Sequence, residues 1–266
     1  MQGDGGGVPI DFFSIRLMLG RPVTRRTRKH FQDGGAMLTN YKAVFFDVGG
    51  TLLRAHPSVG EVYTRHARPF GFTGAAEDLD RAFRAQWDRM GGIESLGTGR
   101  GPEVERRFWR ELVGAVFDRF GGLSDLDAYF EIIYRAFEQG ESWKVFEDVE
   151  ESGILEHLNC RNVVLGVISN WDSRLEATLE NTGLARHFQF ILASTVVGSA
   201  KPHTEIFAEA LRRSGVAASE ACHVGDEIRT DMDGARNAGI DSILIDRNGR
   251  HGNLFSPTVR SFTELV

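Results

Sequence analysis

The sequence holds only two cysteines, Cys160 and Cys222, far apart and without metal-ligand spacing. That argues against a disulfide framework and fits reduced thiols in a cytoplasmic compartment. No apolar run reaches the ~18–20 residues a membrane-crossing helix needs, so no membrane partner is expected. Excess positive charge is missing too. The first 36 residues contain six Arg or Lys and three Asp. Of the chain's 31 basic and 37 acidic residues, 25 and 34 therefore lie beyond them, a balance of −9. An acidic body argues against nucleic-acid partners. It leaves room for a small phosphorylated ligand, which responds to local charge rather than to the net.

Residues 1–36 are glycine-rich and basic with little periodicity, and are expected to be a disordered extension. Their apolar stretch precedes the basic cluster, the wrong order for a secretory signal. An organellar transit peptide is the alternative, against which Asp4 and Asp11 count. Met37, directly before LTNYKAVFFD, is a second candidate start.

With 266 residues, 41% of them hydrophobic, the chain can bury a sizeable core. Lys42–Asp47 is a β-branched and aromatic run, the pattern of a buried strand. Over 57–137 apolar residues recur at helical spacing in four stretches separated by glycine-containing breaks, which predicts a small helical bundle. Beyond Trp143 the pattern alternates: helix 149–158, strand 163–169, helix 173–182, strand 190–193, helix 204–214, strand 221–224, helix 230–238, strand 242–245. Strands alternating with helices imply a parallel sheet covered on both faces. The expected architecture is α/β: a Rossmann-like doubly wound core from 37–56 and 138–266, interrupted by a helical-bundle cap over 57–137.

Ligands of doubly wound sheets gather beyond the carboxyl ends of the strands. Those ends supply Asp47, Ser169 with Asn170, and Asp226 with Asp231, while Lys201 precedes a helix that Pro202 can open. Taken singly, each has a plainer reading as a cap, a turn or a solvated lysine. Together they make acids, a hydroxyl, an amide and a cation at one edge. Phosphoryl transfer needs a nucleophile, a hard cation and positive charge on the phosphoryl oxygens. Asp47 and Asp226 can hold Mg²⁺, and Asp47 can attack phosphorus through its other oxygen. Lys201 can neutralise developing charge, Ser169 can donate to a phosphoryl oxygen, and Thr51 can shape the turn beside them.

The segments VFFDVGGTLL, VISNWD, SAKPHTEIFAEAL and HVGDEIRTDMDGARNAGI, in that order over roughly residues 40–246, resemble the haloacid dehalogenase-like hydrolase superfamily. The position of the helical insertion resembles its helical-cap subclass, and the chain looks closest to the subgroup called hydrolase domain-containing proteins. The resemblance implies a mobile cap that sets substrate choice, Mg²⁺ dependence, Asp47 as nucleophile, and the Gly49 carbonyl, Asp226 and Asp231 on the metal or its waters. One departure bears on activity. Phosphatases of the family usually carry a second aspartate two residues after the nucleophile, to protonate the leaving group; here that position is Gly49. His203 and Val196 also depart from the usual pattern, away from the catalytic set. The leading expectation is an Mg²⁺-dependent hydrolase of small phosphorylated metabolites, slowed by Gly49. A non-enzymatic binder of phosphometabolites or of a partner on an inherited fold is the alternative. Dehalogenation is the least favoured, since no aromatic residue stands two after Asp47. Arg89, Arg100, Trp109 and Trp143 are candidates for substrate contact or for packing.

Overall fold

The computed structural model describes residues 37–99, 101–252, 254–255 and 257–266. The expectations for the 1–36 extension and for Arg100 lie outside them. Among the described residues eight strands form: β1 (Ala43–Phe46), β2 (Leu53–Ala55), β3 (Trp143–Val145), β4 (Val164–Ser169), β5 (Phe190–Ala193), β6 (Ala221–Gly225), β7 (Asp241–Ile245) and β8 (Thr258–Val259). Six make one sheet in the order β5-β4-β1-β6-β7-β8, parallel throughout. β1 lies in its interior, with Ala43 beside both Val164 and Ala221. All four β1 residues are buried because both faces are covered. Val44 and Phe46 join one apolar cluster with Leu165, Val167 and Val224. Ala43 and Phe45 join the other, with Phe190, Ile206 and Phe207.

The helices are α1 (Val59–Ala67), α2 (Ala76–Met90), α3 (Pro102–Asp118), α4 (Leu126–Ala136), α5 (Glu147–Ser152), α6 (Ile154–Cys160), α7 (Leu175–Asn181) and α8 (Thr204–Ser214). α1 to α4 enclose an apolar cluster of their own, with Tyr63, Leu79, Leu112, Phe117 and Tyr129 at its centre. Ser58 caps α1 by accepting from the Glu61 N–H, and Asp125 does the same for α4 at Ala128.

Four local expectations need correction. The single helix over 149–158 is two, α5 and α6, because Gly153 turns left-handed between them at φ 56°. The helix over 230–238 is a wide π-type turn, Ile228–Asp233, followed by one α-turn, Gly234–Asn237. β2 and β3 pair antiparallel where the chain leaves and re-enters the sheet domain, and were not anticipated. β8 adds a two-residue edge strand to β7 ahead of a short helical turn, Phe262–Leu265, and the sequence pattern did not mark it.

Gly166 faces Phe190 across the β4–β5 ladder. A Cβ there would lie 2.3 Å from the Phe190 ring, which packs tilted against Phe45 at 5.9 Å between centroids. Gly166→Ala is therefore expected to cost about 1–3 kcal/mol through overpacking. A thermal melt checks this, each kcal/mol lowering the midpoint by about 2–4 °C; an unchanged midpoint would mean that the ring moves aside freely.

Candidate active site

The carboxyl end of the sheet brings the sequence-selected residues together. Asp47 follows β1, Ser169 and Asn170 end β4, and Asp226 follows β6. Asp231 sits within the π-type turn, which winds it back toward Asp226. One oxygen from each of Asp47, Asp226 and Asp231 lies within 4.8 Å of the others. Lys201, 2% exposed, inserts its ammonium between two of these acids, 2.7 Å from Asp47 Oδ1 and 2.5 Å from Asp231 Oδ1. Ser169 Oγ donates to Asp47 Oδ1 at 2.8 Å. Asn170 does not face the acids. It clasps the Lys201 backbone, accepting from its N–H at 2.7 Å and donating to its carbonyl at 2.9 Å. Thr51 is buried and donates at 3.4 Å to Asp226 Oδ1.

Two glycines follow Asp47 with different consequences. Gly50 adopts φ 81°, and a Cβ there would fall 2.3 Å from Asp226 Oδ2. Only glycine lets the loop run this close to the carboxylate. Gly49 has ordinary backbone, and a Cβ on it would meet only the Trp171 ring, at 3.5 Å. Space exists at position 49, beside an indole and with no acid built in.

The charges are unequally compensated. Burial pulls the Lys201 pKa down, but Asp231 and Asp47 outweigh it and hold the ammonium protonated. Burial pushes Asp231 up, yet Lys201 and His223 bring it well below the usual carboxylate range. Both Asp231 oxygens are engaged, Oδ1 with Lys201 and His223 Nε2 and Oδ2 with the Glu227 N–H. Asp47 is raised, by burial first, with Lys201 working against it. Asp226 is pushed up to about 8 by burial and by the neighbouring Asp47 and Asp231. Among the described residues its side chain pairs with Thr51 and with the half-exposed Arg250 guanidinium, 3.2 Å away. A pair of crowded oxygens on Asp47 and Asp226 with too little positive charge is a donor set suited to a hard divalent cation.

Several contributors escaped the sequence reading. His223, inside β6, supports Asp231. Arg247 donates to the carbonyls of Gly50 and Thr51, each at 2.8 Å, pairs with Asp148, and stacks 3.8 Å over Phe146. It thereby holds the loop after Asp47. The His of HVGDE and the Arg of IDRNGR lie beside strand ends, the one signal that marks them. His203 is exposed at the start of α8, and Val196 is 60% exposed, both away from the acids.

A cavity of about 760 Å³ opens from these acids toward α1–α4. Trp109 and Trp143 line it, whereas Arg89 does not. A buried polar network joins the inserted helices to the sheet domain beside it. Glu105 of α3, 1% exposed, accepts from the Ser173 N–H, Ser173 Oγ and Thr195 Oγ1. Trp109 Nε1 donates to Asp172 Oδ2 at 2.6 Å, and Arg174 pairs with the same carboxylate while lying 3.8 Å over the Tyr134 ring.

A family model described as haloacid dehalogenase-like hydrolase matches residues 41–239. The chain belongs to that family. It is 36% identical over 209 residues to the zebrafish (Danio rerio) haloacid dehalogenase-like hydrolase domain-containing protein 3, covering 77% of this chain and 84% of the relative. To a phosphoserine phosphatase of Thermus thermophilus it is 33% identical over 172 residues, 64% of this chain and 66% of the relative. The crystal structure of a HAD phosphatase from Thermococcus onnurineus superposes with a TM-score of 0.61 at 25% identity, covering 84% of this chain and 95% of that one. Structures described as dehalogenases share the fold as well. The membership makes this a hydrolase fold with phosphatase homologues, and among the described residues no helix is long and apolar enough to cross a membrane.

Replacing Glu105 by Ala leaves the buried Thr195 hydroxyl with a long 3.4 Å contact to the Trp171 carbonyl, while the exposed Ser173 donors turn to water, a loss of about 1–3 kcal/mol in all. Glu105→Ala is expected to lower the urea midpoint and to speed amide exchange in α3, with Glu105→Gln retaining most of both. Equal exchange in α3 for the Ala variant and the native protein would show that the network does not hold the helix.

Proposed function

We propose that the protein is an Mg²⁺-dependent hydrolase of small phosphorylated molecules that works through an aspartyl-phosphate on Asp47. The observation that carries this reading is the buried cluster of Asp47, Asp226 and Asp231 around the Lys201 ammonium at the carboxyl edge of the sheet. Asp47, Asp226 and the Gly49 carbonyl would hold the metal. Asp231, whose oxygens are already engaged, would act on its waters and fix Lys201. A bound Mg²⁺ supplies charge neutralisation for the phosphoryl oxygens.

The remaining steps belong to the chain itself. Ser169 and Lys201 both bind Asp47 Oδ1, so the carboxylate is aimed and Oδ2 is the oxygen that attacks phosphorus. Positive charge from Lys201 and the Ser169 hydroxyl stabilise the charge that builds up as the bond to the leaving group breaks. Water then attacks the acyl phosphate, releasing inorganic phosphate and regenerating Asp47. The helices over 57–137 act as a cap whose closure excludes water. The Glu105 and Trp109 contacts describe its docked position.

Gly49 sets the limit. A placed general acid is worth roughly 10²–10⁴-fold, and position 49 provides none. The same feature favours the second reading, a non-enzymatic phosphometabolite binder.

Three outcomes test the proposal. Asp226→Asn should weaken Mg²⁺ binding in calorimetry, and unchanged affinity would remove Asp226 from the metal site. Asp47→Asn should abolish turnover of every substrate; residual turnover at the native rate would remove Asp47 as nucleophile. Across a series of phosphate esters the native rate should fall steeply as the leaving group becomes more basic. Gly49→Asp, whose Cβ would meet only the Trp171 ring, at 3.5 Å, should flatten that slope and raise kcat on alkyl phosphates by about 10²-fold. A flat native slope would mean that another group donates the proton, and no turnover of any ester would favour the binder.

A further inference from the structure

The chain contains four tryptophans, and all four, Trp87, Trp109, Trp143 and Trp171, line the cavity that opens on Asp47. They stand in two pairs. Trp143 and Trp171 belong to the sheet-domain side, with ring centroids 4.9 Å apart. Trp87 and Trp109 belong to α2 and α3, 5.7 Å apart. Tyr134 and Phe137 continue the aromatic wall. Each tryptophan is only partly buried, packing one part of its surface on an apolar cluster while also lining the cavity. Trp171 is the ring beside Gly49, where a proton donor for the leaving group would otherwise stand.

From these two features, and resting on the phosphatase reading above, we propose that the site takes small aryl phosphates, with the aromatic leaving group seated against Trp171 and Trp143. The chemistry and the walls agree. A phenol has a pKa near 10 against about 15.7 for water, so a phenolate departs with far less need of protonation than an alkoxide. Aromatic faces are recognised by offset or edge-on ring packing, worth more than the buried area alone. In the reaction, Asp47 Oδ2 forms a bond to phosphorus as the P–O(aryl) bond breaks. The electron pair stays on the aryl oxygen, which takes a proton from solvent. Water then adds to phosphorus, the P–Oδ2 bond returns its pair to Asp47, and the water's proton passes to solvent. One Arg229 guanidinium nitrogen donates to both Glu94 oxygens at 2.7 Å and joins the inserted segment to the turn after β6 at the cavity rim. That bridge favours a free small molecule over an extended peptide.

Binding and turnover are read separately. Quenching of the native full-length protein's tryptophan fluorescence is titrated with naphthylmethylphosphonate and with butylphosphonate, neither of which can be hydrolysed at the P–C bond. The aryl probe is expected to bind at least about tenfold tighter, an aromatic pairing of ordinary strength. Trp171→Leu should remove most of that preference and Trp171→Phe restore it; Trp143→Leu, at the other ring of the same pair, serves as a second variant should Trp171→Leu not fold. Equal affinity for the two phosphonates overturns the proposal. Turnover is then compared for naphthylethyl phosphate and butyl phosphate, whose leaving groups are both alkoxides, so that ring recognition is read apart from leaving-group basicity. A higher kcat/KM for the former supports the inference, and equal values sink it. Aryl preference in binding with no turnover of any ester leaves the aromatic site standing and removes the phosphatase reading. Phosphotyrosine amide should be a better substrate than a phosphotyrosine heptapeptide; the reverse order overturns the small-molecule assignment.

Discussion

The site depends on one buried cation. Lys201 places its ammonium between Asp47 and Asp231 with almost no solvent access. Burying a lone ammonium costs several kcal/mol, and so does burying either carboxylate. Each is tolerable only because the others are present. Removing the lysine would leave two acids facing Asp226 with nothing between them. The main-chain clasp of Asn170 on Lys201 therefore matters as much as the ammonium itself, since it fixes where the side chain begins. His223 completes the arrangement at Asp231 Oδ1, the oxygen that Lys201 also binds, and the Glu227 N–H takes Oδ2.

That balance is deliberately incomplete at Asp226. Asp231 is saturated with donors and held ionised, whereas Asp226 is raised to about 8 by burial and by its acidic neighbours. The two residues are five apart in sequence and close in space, yet they differ in what they can still accept. A cation would meet its demand at Asp226 and Asp47, and Asp231 would serve it indirectly. The glycine at position 50 belongs to the same constraint. Its missing side chain lets the loop after β1 press against Asp226, and Arg247 holds that loop by two carbonyls.

Much of this was legible in the chain alone. The run into Asp47 reads as a buried strand because β1 is covered on both faces, and the strand ends then single out Ser169, Lys201, Asp226 and Asp231 without any coordinates. The misses have physical causes. β2, β3 and β8 are two or three residues long, too short for a two-residue alternation to register. Gly153 splits a helix because its left-handed turn outweighs the apolar spacing on either side. Asn170 was placed at the right edge, but its partner is the Lys201 backbone, a contact 31 residues away that no local pattern encodes. Glu105 reads as one more acid on an amphipathic helix. Its burial against Ser173 and Thr195 follows from how the inserted helices dock, which is a property of the tertiary arrangement.

The same docking explains why aromatic rings gather where they do. α1–α4 and the sheet domain each have a closed apolar cluster, so the seam between them needs surfaces that tolerate both packing and exposure. Tryptophan and tyrosine suit such a seam, having apolar bodies and one polar atom each. Trp109 spends its N–H on Asp172 and Trp143 on the Phe137 carbonyl. With the polar atoms satisfied, ring surface is what remains to face the cavity. A seam built this way is tied at defined points, Glu105 and Trp109 within and Glu94–Arg229 at the rim, and is apolar between them. Opening it would separate the Thr195 hydroxyl and the Trp109 N–H from their carboxylate acceptors and release the exposed Glu94–Arg229 pair to water. On the proposed reading, closure of the inserted helices and recognition of a ligand would draw on these same contacts at the seam.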